Sequence, residues 1–371
     1  MRGDPRARKH AGMHPNKCDV VPQRLKLRPQ QRTEPAVHGR PQAAIVVNPT
    51  KFRRPTDMAD FQMWAEREFL RHGWSRPRWL PTTASTRGRQ ETARALAAGT
   101  DVVVAAGGDG TVRAVAEELL GTGVPMALLP TGTGNLLARN VGVNPAAWGA
   151  AISVVCQGND KAMDVGWLEV DRTGQGSYLE RHPFMVMAGA GLDAATMQGA
   201  SEKMKRRMGQ AAYLYSGIRS LGRPMATTTV RVDGELVLTE SSHGVILGNC
   251  GLLTRDVSLM PDADPHDEML NAVVLLPRKL SHWARLAWAV RSGTHQSTPF
   301  MPALQGSRIE MRTDSPQPVQ VDGDVIGHAL GFRSGLYSAT LLVRQPPTMP
   351  SEQPYRPAAP RTVREGLLQP V

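Results

Sequence analysis

A carboxylate lies at the centre of a glycine-rich turn in the stretch VVVAAGGDGTVRA, residues 102–114. Glycines at the end of a buried strand let backbone N–H groups approach an anion, and a helix that begins near Thr111 would point its positive end the same way. Asp109 would repel a phosphate bound there unless a cation lay between them, and Mg²⁺ commonly provides that bridge. The turn therefore predicts a site for a metal–nucleotide. The alternative is that Asp109 caps a helix, but a cap does not explain the double glycine before it.

A second glycine-rich loop follows the next apolar run, in LLPTGTGNLLARN at 128–140. Its hydroxyl groups and backbone amides would complete a phosphate cradle, and Arg139 could neutralise phosphate charge. Taken alone, the loop is typical of an ordinary strand–turn–helix with Asn135 as the cap. Next to the first loop, it predicts the second wall of one site. The chain has neither the Walker sequence GxxxxGK[ST] nor the HRD and DFG sequences, which disfavours the P-loop and protein-kinase classes.

The region that must position these loops, residues 43–156, alternates short apolar runs with amphipathic stretches. The strands are predicted at 43–48, 76–81, 101–106 and 124–130. The helical stretch at 56–73 places Phe61, Trp64, Ala65 and Phe69 on one face, with Thr56 or Asp57 as its cap. This alternation predicts a parallel sheet with helices on both faces. Ligands bind such sheets at the carboxyl ends of the strands, where both glycine loops lie.

After about residue 160 the pattern changes to strand-like segments joined by Gly, Pro and Asp, which predicts a β-rich second domain. We therefore expect an α/β fold with a doubly wound nucleotide-binding domain and a C-terminal β-sandwich domain. The predicted boundaries are a disordered basic arm (1–42), the nucleotide-binding domain (43–160), a β-rich lipid and metal domain (161–344) and a disordered tail (345–371).

The positive charge of the chain is concentrated in its amino-terminal arm. The formal net charge is +11, and residues 1–40 contribute ten Lys and Arg against three acidic residues. The arm is a solvated tail, the product of a misplaced start codon, or a segment attracted to an anionic surface. The basic stretch KMKRRMG at 203–209 leaves a similar choice between a solvated helix face and contact with anionic headgroups.

Composition excludes several classes of protein. The three cysteines (Cys18, Cys156 and Cys250) share no short spacing, which argues against a disulfide framework or a zinc site. No apolar run approaches the roughly 18 residues that span a bilayer. The basic start leads into no apolar segment, so a secretory signal is not expected. These features favour a cytoplasmic protein.

Seven motifs occur in a fixed order along the chain. They are NPT (48–50), GGDGT (107–111), LPTGTGNLLAR (129–139), MDVG (163–166), AGAGLDA (188–194), PDADPHDEML (261–270) and VDGDVIG (321–327). This ordered set resembles the diacylglycerol kinase catalytic family, which also contains sphingosine kinases, ceramide kinases and bacterial lipid kinases. GGDGT by itself is less specific, because NAD kinases and phosphofructokinases also use it.

The resemblance implies ATP-dependent phosphorylation of a lipid hydroxyl in a cleft between the two domains. Diacylglycerol is the leading acceptor, and a sphingoid base or phosphatidylglycerol is the alternative within the class. A NAD kinase and a pseudo-enzyme that binds nucleotide or lipid are the less favoured alternatives. The implied partner is a lipid at the inner face of the membrane, with a homodimer possible and no nucleic acid expected.

The resemblance also assigns residues to the nucleotide and the metal. The ATP-binding residues would be Asn48, Pro49, Thr50, Thr83 (or its neighbour Thr82), Gly107, Gly108, Asp109, Gly110, Thr111, Gly132, Thr133 and Asn135, with Arg139 in support. The ligands of a structural Mg²⁺ would be Asp264, Asp267 and the main-chain oxygen of Met269. Glu268 and Asn271 depart from the family's glycine and aspartate, and a residue in that glycine's place can be forced to a positive φ. Lys51 and Phe52 replace the family's phosphate-facing Ser-Gly, and Lys51 is either a compensating charge or a solvated side chain.

A late Asp-Gly-Asp turn supplies the candidate catalytic base. By the resemblance, Asp324 would accept the proton of the lipid hydroxyl, and Asp322 would hold water or metal beside it. The alternative is a plain hairpin, since Asp-Gly is a strong turn signal and VDGEL at 232–236 has the same start.

Overall fold

The computed structural model describes residues 39–132, 134–178, 180–191, 225–254, 257–292 and 298–347. Within these ranges the helices are α1 Pro55–Arg71, α2 Arg89–Ala97, α3 Asp109–Leu119, α4 Leu136–Asn140, α5 Trp148–Gln157 and α6 Leu280–Ser292. The strands of the first half are β1 Ala43–Val47, β2 Arg78–Pro81, β3 Val102–Ala106 and β4 Met126–Leu128. The strands of the second half are β5 Asn159–Asp171, β6 Arg181–Phe184, β7 Met187–Ala190, β8 Ala226–Val232, β9 Glu235–Ser242, β10 Gly244–Gly248, β11 Leu252–Thr254, β12 Val257–Ser258, β13 Leu270–Leu275, β14 Ala303–Gly306, β15 Arg308–Val321 and β16 Asp324–Gln345.

Several predicted features lie outside the described residues. They are Thr133, most of the basic arm, the stretch at 203–209 and nearly all of the tail.

The first half is the predicted parallel α/β sheet. Its strands lie in the order β4-β3-β1-β2 with all neighbours parallel, and every residue of β1 and β3 is buried. The helices contact one another in two pairs, α1 with α5 and α2 with α3, as expected when helices cover both faces of a sheet. The segments after β1, β2, β3 and β4 therefore all leave the sheet at one edge.

Helix α1 matches its predicted face but not its predicted cap. Phe61 and Phe69 are buried against the sheet, as the spacing required. The residue at the cap position is Arg54, and Asp57 accepts its N–H at 3.2 Å from inside the first turn. Pro55 is the first helical residue, where its missing N–H costs nothing, so the helix begins earlier than Thr56 or Asp57.

The second half is antiparallel and continuous with the first. Strands β14-β13-β10-β7-β15-β16 follow one another, with β5 and β6 branching from β16 and with β8 and β9 branching from β15. Val343 of β16 pairs in parallel with Met126 of β4, which joins the two halves into one sheet. The predicted domain boundary at residue 160 falls inside β5, which runs from Asn159 to Asp171. Strand β5 pairs with β16 over this whole length, so the strand is not interrupted at the predicted boundary.

Two apolar cores support this architecture. One fills the α/β half and continues into the second half through residues such as Met185, Cys250 and Met260. The other lies within the antiparallel strands and includes Phe184 and Phe332. Among the helices in the described ranges, none combines the length and the apolar character needed to cross a membrane.

Candidate nucleotide and acceptor site

The loop after β3 leaves no room for a side chain at its first glycine. A Cβ atom at Gly107 would lie 2.5 Å from the Cβ of Thr111, whose side chain is buried against the loop. The carbonyl oxygen of Gly108 accepts the N–H of Thr111 at 2.9 Å, and α3 begins at Asp109. The backbone through Gly110 therefore lies at the positive end of an 11-residue helix, as an anion site requires.

The two glycine loops are in backbone contact. The N–H groups of Gly132 and Thr131 both point to the carbonyl oxygen of Gly107, at 3.1 and 3.4 Å. A Cβ atom at Gly132 would lie 2.5 Å from the Cα of Gly108. Side chains here would push the loops apart, so the glycines maintain one shared, narrow cradle.

Asp109 joins the two loops through its carboxylate. Its Oδ2 accepts the N–H of Asn135 at 3.1 Å and its Oδ1 accepts the N–H of Leu136 at 2.7 Å, at the start of α4. Burial raises the pKa of Asp109, while these two hydrogen bonds and the ammonium of Lys51 act in the opposite direction. Asp109 is thus a helix cap, but for the helix of the second loop rather than for α3. Its role toward a metal–nucleotide stays a prediction.

Asn135 and Arg139 lie together at the edge of an open cleft. Asn135 has a φ of 51°, a left-handed conformation that asparagine tolerates, and its Nδ2 donates to the carbonyl oxygen of Gly132 at 2.6 Å. The Nε of Arg139 donates to the carbonyl oxygen of Gly134 at 3.0 Å. Both residues line a cleft of about 640 Å³ that extends to Leu252 of the second half. The cleft is therefore lined by the first half of the chain, with Leu252 as the contribution of the second half.

The NPT segment forms a third wall directly after β1. The Oδ1 of Asn48 accepts the N–H and the hydroxyl of Thr50, at 3.1 and 2.8 Å, across a 3-10 turn that starts at Pro49. The Nζ of Lys51 lies 3.8 Å from the point that a Cβ of Gly108 would occupy. Lys51 is therefore a cation beside the glycine loop rather than a remote surface charge.

The threonine pair after β2 is divided between core and surface. Thr82 is buried, and its N–H bonds to the carbonyl oxygen of Val47 at 2.8 Å. Thr83 is exposed, and its hydroxyl lies 3.0 Å from the hydroxyls of Ser85 and Thr86. Only the Thr83 hydroxyl of this pair faces solvent at the ligand-binding edge of the sheet.

Asp324 lies at the tip of the VDGD turn, against helix α3. Arg113 donates from Nη2 to the Oδ2 of Asp324 and from Nη1 to the carbonyl oxygen of Val321, the latter at 2.6 Å. The Nη1 of Arg87 lies 3.5 Å from the same carboxylate oxygen. Since Arg113 is four residues after Asp109, about one helical turn separates the candidate base's partner from the glycine loop.

Sequence reasoning missed Arg113, although the residue lies inside the opening stretch. A cation one turn into a helix that begins at a glycine-rich loop is the signal that could have identified it. Glu117 lies one turn further, with its Oε1 3.8 Å from the Nε of Arg113 and its Oε2 paired with Arg89. Burial raises the pKa of Glu117, and the two arginines counteract this. Glu117 thus helps to fix the guanidinium that contacts Asp324.

The carboxylate of Asp322 accepts hydrogen bonds from the backbone. Its carboxylate accepts the N–H groups of Met185, Val186 and Met187 at 2.9, 2.9 and 3.1 Å. Burial of the carboxylate raises its pKa, against the effect of these three hydrogen bonds. Both oxygens are therefore used to hold the turn on the start of β7, whereas sequence reasoning expected them to hold water or a metal.

The acidic loop carries the predicted Mg²⁺ ligands. The Oδ1 of Asp264 lies 2.8 Å from the His266 ring, and the Oδ1 of Asp267 accepts the N–H of Met269 at 2.9 Å. The contact with His266 lowers the pKa of Asp264, whereas burial and neighbouring carboxylates raise the pKa of Asp267. Two carboxylates and a carbonyl in one loop fit the oxygen ligands that Mg²⁺ takes. In the part of the chain that the structure describes, no cluster of three or more His, Cys, Asp or Glu is arranged for a metal, so this site stays a prediction.

Asp164, from the MDVG motif, anchors that loop, a role not assigned from sequence. Its Oδ2 accepts the N–H of Glu268 at 2.8 Å, its Oδ1 accepts that of Ala339 at 2.7 Å, and its N–H bonds to the carbonyl oxygen of Pro265 at 2.7 Å. Glu268 has a φ of 59°, so the expected positive φ at the position where glycine is usual is confirmed.

Family models match both halves of the chain. A model described as the diacylglycerol kinase catalytic domain matches residues 58–168, and one described as the YegS C-terminal NAD kinase beta sandwich-like domain matches residues 186–333. The first contains both glycine loops, and the second contains the acidic loop and the VDGD turn.

Individual relatives are distant. A diacylglycerol kinase of Bacillus subtilis is 26% identical over 64% of this chain and 75% of its own length. An uncharacterized protein of Synechocystis is 24% identical over 62% of this chain, which spans about half (51%) of that relative's length. A crystal structure of a diacylglycerol kinase from Bacillus anthracis has a TM-score of 0.60 at 16% identity, covering 84% of this chain and 98% of the other, which supports the fold alone.

The two models match consecutive parts of the chain, and these parts are the two halves that meet at the Arg113–Asp324 contact. This chain therefore belongs to the diacylglycerol kinase catalytic family.

Proposed function

We propose that this protein is an ATP-dependent lipid kinase that phosphorylates the hydroxyl of a lipid alcohol, with diacylglycerol as the leading acceptor and phosphatidic acid as the product. The observation that carries the proposal is the contact between Arg113 and Asp324. It brings a carboxylate of the second half against the helix that begins at the glycine loop of the first half.

In this mechanism the two glycine loops hold the phosphates. Backbone N–H groups at the start of α3 approach the phosphate oxygens closely, because Gly107, Gly108 and Gly132 leave no side chain in the way. Lys51 and Arg139 add positive charge on two sides of this cradle. Phosphoryl transfer depends mainly on such positioning and charge neutralisation.

Asp324 is the proposed proton acceptor. The acceptor hydroxyl oxygen forms a bond to the γ-phosphorus while the bond from that phosphorus to the β–γ bridging oxygen breaks, and the hydroxyl proton passes to Asp324. ADP is the leaving group. Arg113 positions Asp324 and does not itself touch the reacting atoms in this scheme, since both of its Nη atoms bond to residues of the turn.

Mg²⁺ bound with the nucleotide would neutralise phosphate charge. A separate, structural Mg²⁺ would be held by Asp264, Asp267 and the carbonyl oxygen of Met269, in a loop that Asp164 anchors. The positive φ of Glu268 makes this loop costlier to form than a glycine-containing one, by about 1 kcal/mol.

The test is incubation of the purified full-length protein with γ-labelled ATP and Mg²⁺. The acceptors are diacylglycerol, sphingosine, ceramide and phosphatidylglycerol in detergent micelles, with NAD in a separate reaction. Label in phosphatidic acid supports the proposal, and label in another lipid corrects the acceptor. Label only in NADP, or the same label with the Asp324→Asn variant, would contradict it.

A further inference from the structure

Helix α6 presents an apolar stripe to solvent. Trp288 is 72% exposed and Leu280 is 53% exposed, and the exposed Ala284 lies between them. Residues spaced by four lie one above the other on a helix, so these three form a continuous stripe. The opposite face, with Trp283, Leu286 and Ala289, is buried, and Trp283 and Leu286 belong to the core that continues from the α/β half.

The surroundings of the stripe are basic. Residues 276–292 contain four Lys and Arg and no acidic residue. Lys279 and Arg285 are exposed beside the stripe, while Arg278 pairs with Glu240 at 3.2 Å. An exposed tryptophan among basic residues suits a lipid–water interface, where the indole ring lies between the acyl chains and the headgroups.

Another exposed apolar pair in the described residues lacks this character. Leu236 and Val237 are 57% and 49% exposed on β9, a similar exposure to that of Leu280. The hairpin of residues 226–242 carries three acidic residues (Asp233, Glu235 and Glu240) against one basic residue, Arg231, which pairs across the strands with Leu236, so an anionic surface would repel it. Charge complementarity therefore separates α6 from this hairpin.

We propose that the outer face of α6 (Leu280, Ala284, Arg285 and Trp288) docks on an anionic lipid bilayer. Trp288 and Leu280 enter the interface, and the basic residues contact the headgroups. The choice of a bilayer over another surface rests in part on the proposed lipid kinase function.

The test uses the full-length protein without ATP, and vesicles of phosphatidylcholine with and without phosphatidylglycerol. We expect the Leu280→Ser/Trp288→Ser variant to lower the partition coefficient on anionic vesicles about tenfold. The matched Leu236→Ser/Val237→Ser variant should leave it unchanged. Because the basic arm could also bind vesicles, a second measurement is needed: brominated lipid should quench wild-type fluorescence more than that of Trp288→Phe.

Three outcomes would overturn the proposal. The first is equal partition of the two serine variants, and the second is equal quenching of wild type and Trp288→Phe. The third is self-association of the wild type in sedimentation velocity that the α6 variant abolishes, which would make a second copy the occupant. Activity on lipid micelles is measured in parallel and should be unaffected by the α6 variant. A protein that docks through α6 but phosphorylates no lipid would contradict the proposed function and leave the docking surface supported.

Discussion

Two turns of this molecule share the residues Val-Asp-Gly and nearly the same backbone, yet have different surroundings. In the first, Asp233 and Gly234 have φ values of 51° and 91°; in the second, Asp322 and Gly323 have values of 46° and 86°. Both are tight turns between antiparallel strands, of the kind that Asp-Gly favours.

The aspartates of the two turns bond to different parts of the molecule. Asp233 accepts the hydroxyl of Ser307 at 2.7 Å and the N–H of Arg308 at 2.9 Å, on an exposed surface. Asp322 instead accepts three consecutive N–H groups at residues 185–187. The aspartate of the first turn thus bonds to exposed residues at the start of β15, and the aspartate of the second turn bonds to buried backbone just before and at the start of β7.

The acidic residue after each glycine differs even more. Glu235 is exposed on β9, whereas Asp324 is held by Arg113 from α3. The difference shows that an Asp-Gly signal determines a hairpin, while the position of the hairpin beside another element decides what its acidic residue contacts.

The largest expected effect is on turnover. Asp324→Asn should lower kcat by roughly 10²–10⁴-fold, the usual contribution of a general base, and leave ATP binding intact. Asp324→Glu should retain substantial activity, because it keeps a carboxylate. The matched variant in the other turn, Glu235→Gln, should turn over normally. Steady-state kinetics and ATP titration check these outcomes, and a normal kcat for Asp324→Asn would reduce the second turn to a hairpin.

The next largest effect is on stability. Asp322→Asn should lower the free energy of unfolding by about 3 kcal/mol, because three N–H groups lose a charged acceptor. Asp233→Asn, at an exposed site, should cost about 1 kcal/mol or less. Urea unfolding of both variants provides the comparison. Equal losses would show that the buried contacts of Asp322 add nothing beyond the turn itself.

Arg113 tests whether its contact with the second turn positions the base. Arg113→Lys keeps the charge but loses the paired donors, so we expect kcat to fall about tenfold with an unchanged KM for ATP. Arg87→Lys should have a smaller effect, since Arg87 makes only a 3.5 Å contact with Asp324. A fall in stability without a change in kcat would indicate a structural role alone.

The smallest effect concerns the turn glycines. No atom lies within 4 Å of a Cβ built at Gly234 or Gly323, so alanine at either site is penalised only by its positive φ, by about 1 kcal/mol. We expect equal losses of unfolding free energy from Gly234→Ala and Gly323→Ala. Only Gly323→Ala should also lower kcat, because it shifts Asp324. An unchanged kcat would mean that the turn tolerates such a shift.

Much of the fold could be predicted from local pattern. The apolar runs indicated strands β1 to β4 and their parallel arrangement in one sheet. The spacing of Phe61 and Phe69 indicated the buried face of α1. The positive φ at Glu268 was expected only through the family resemblance, because glycine is usual at that position. The start of α1 was misjudged, because Pro55 can begin a helix without an N–H group and the residue before it then becomes the cap.

The candidate site was only partly accessible from sequence. The glycine loops were recognisable from their residue types, whereas Asp324 was selected through the family resemblance. The partners of the carboxylates were not. Asp109 bonds to Asn135 and Leu136 in the other loop, and Asp164 bonds to Glu268 more than a hundred residues away.

The sequence by itself determined the turns, the glycine cradle and the order of the elements, because backbone conformation depends on residues that are near in the chain. The tertiary structure alone decided that Asp322 stabilises β7, that Asp324 meets Arg113 and that Trp288 faces solvent. These roles depend on which strand and helix pack together across more than a hundred residues. Side-chain partners at that distance are selected by the packing of the whole sheet, which no local pattern encodes.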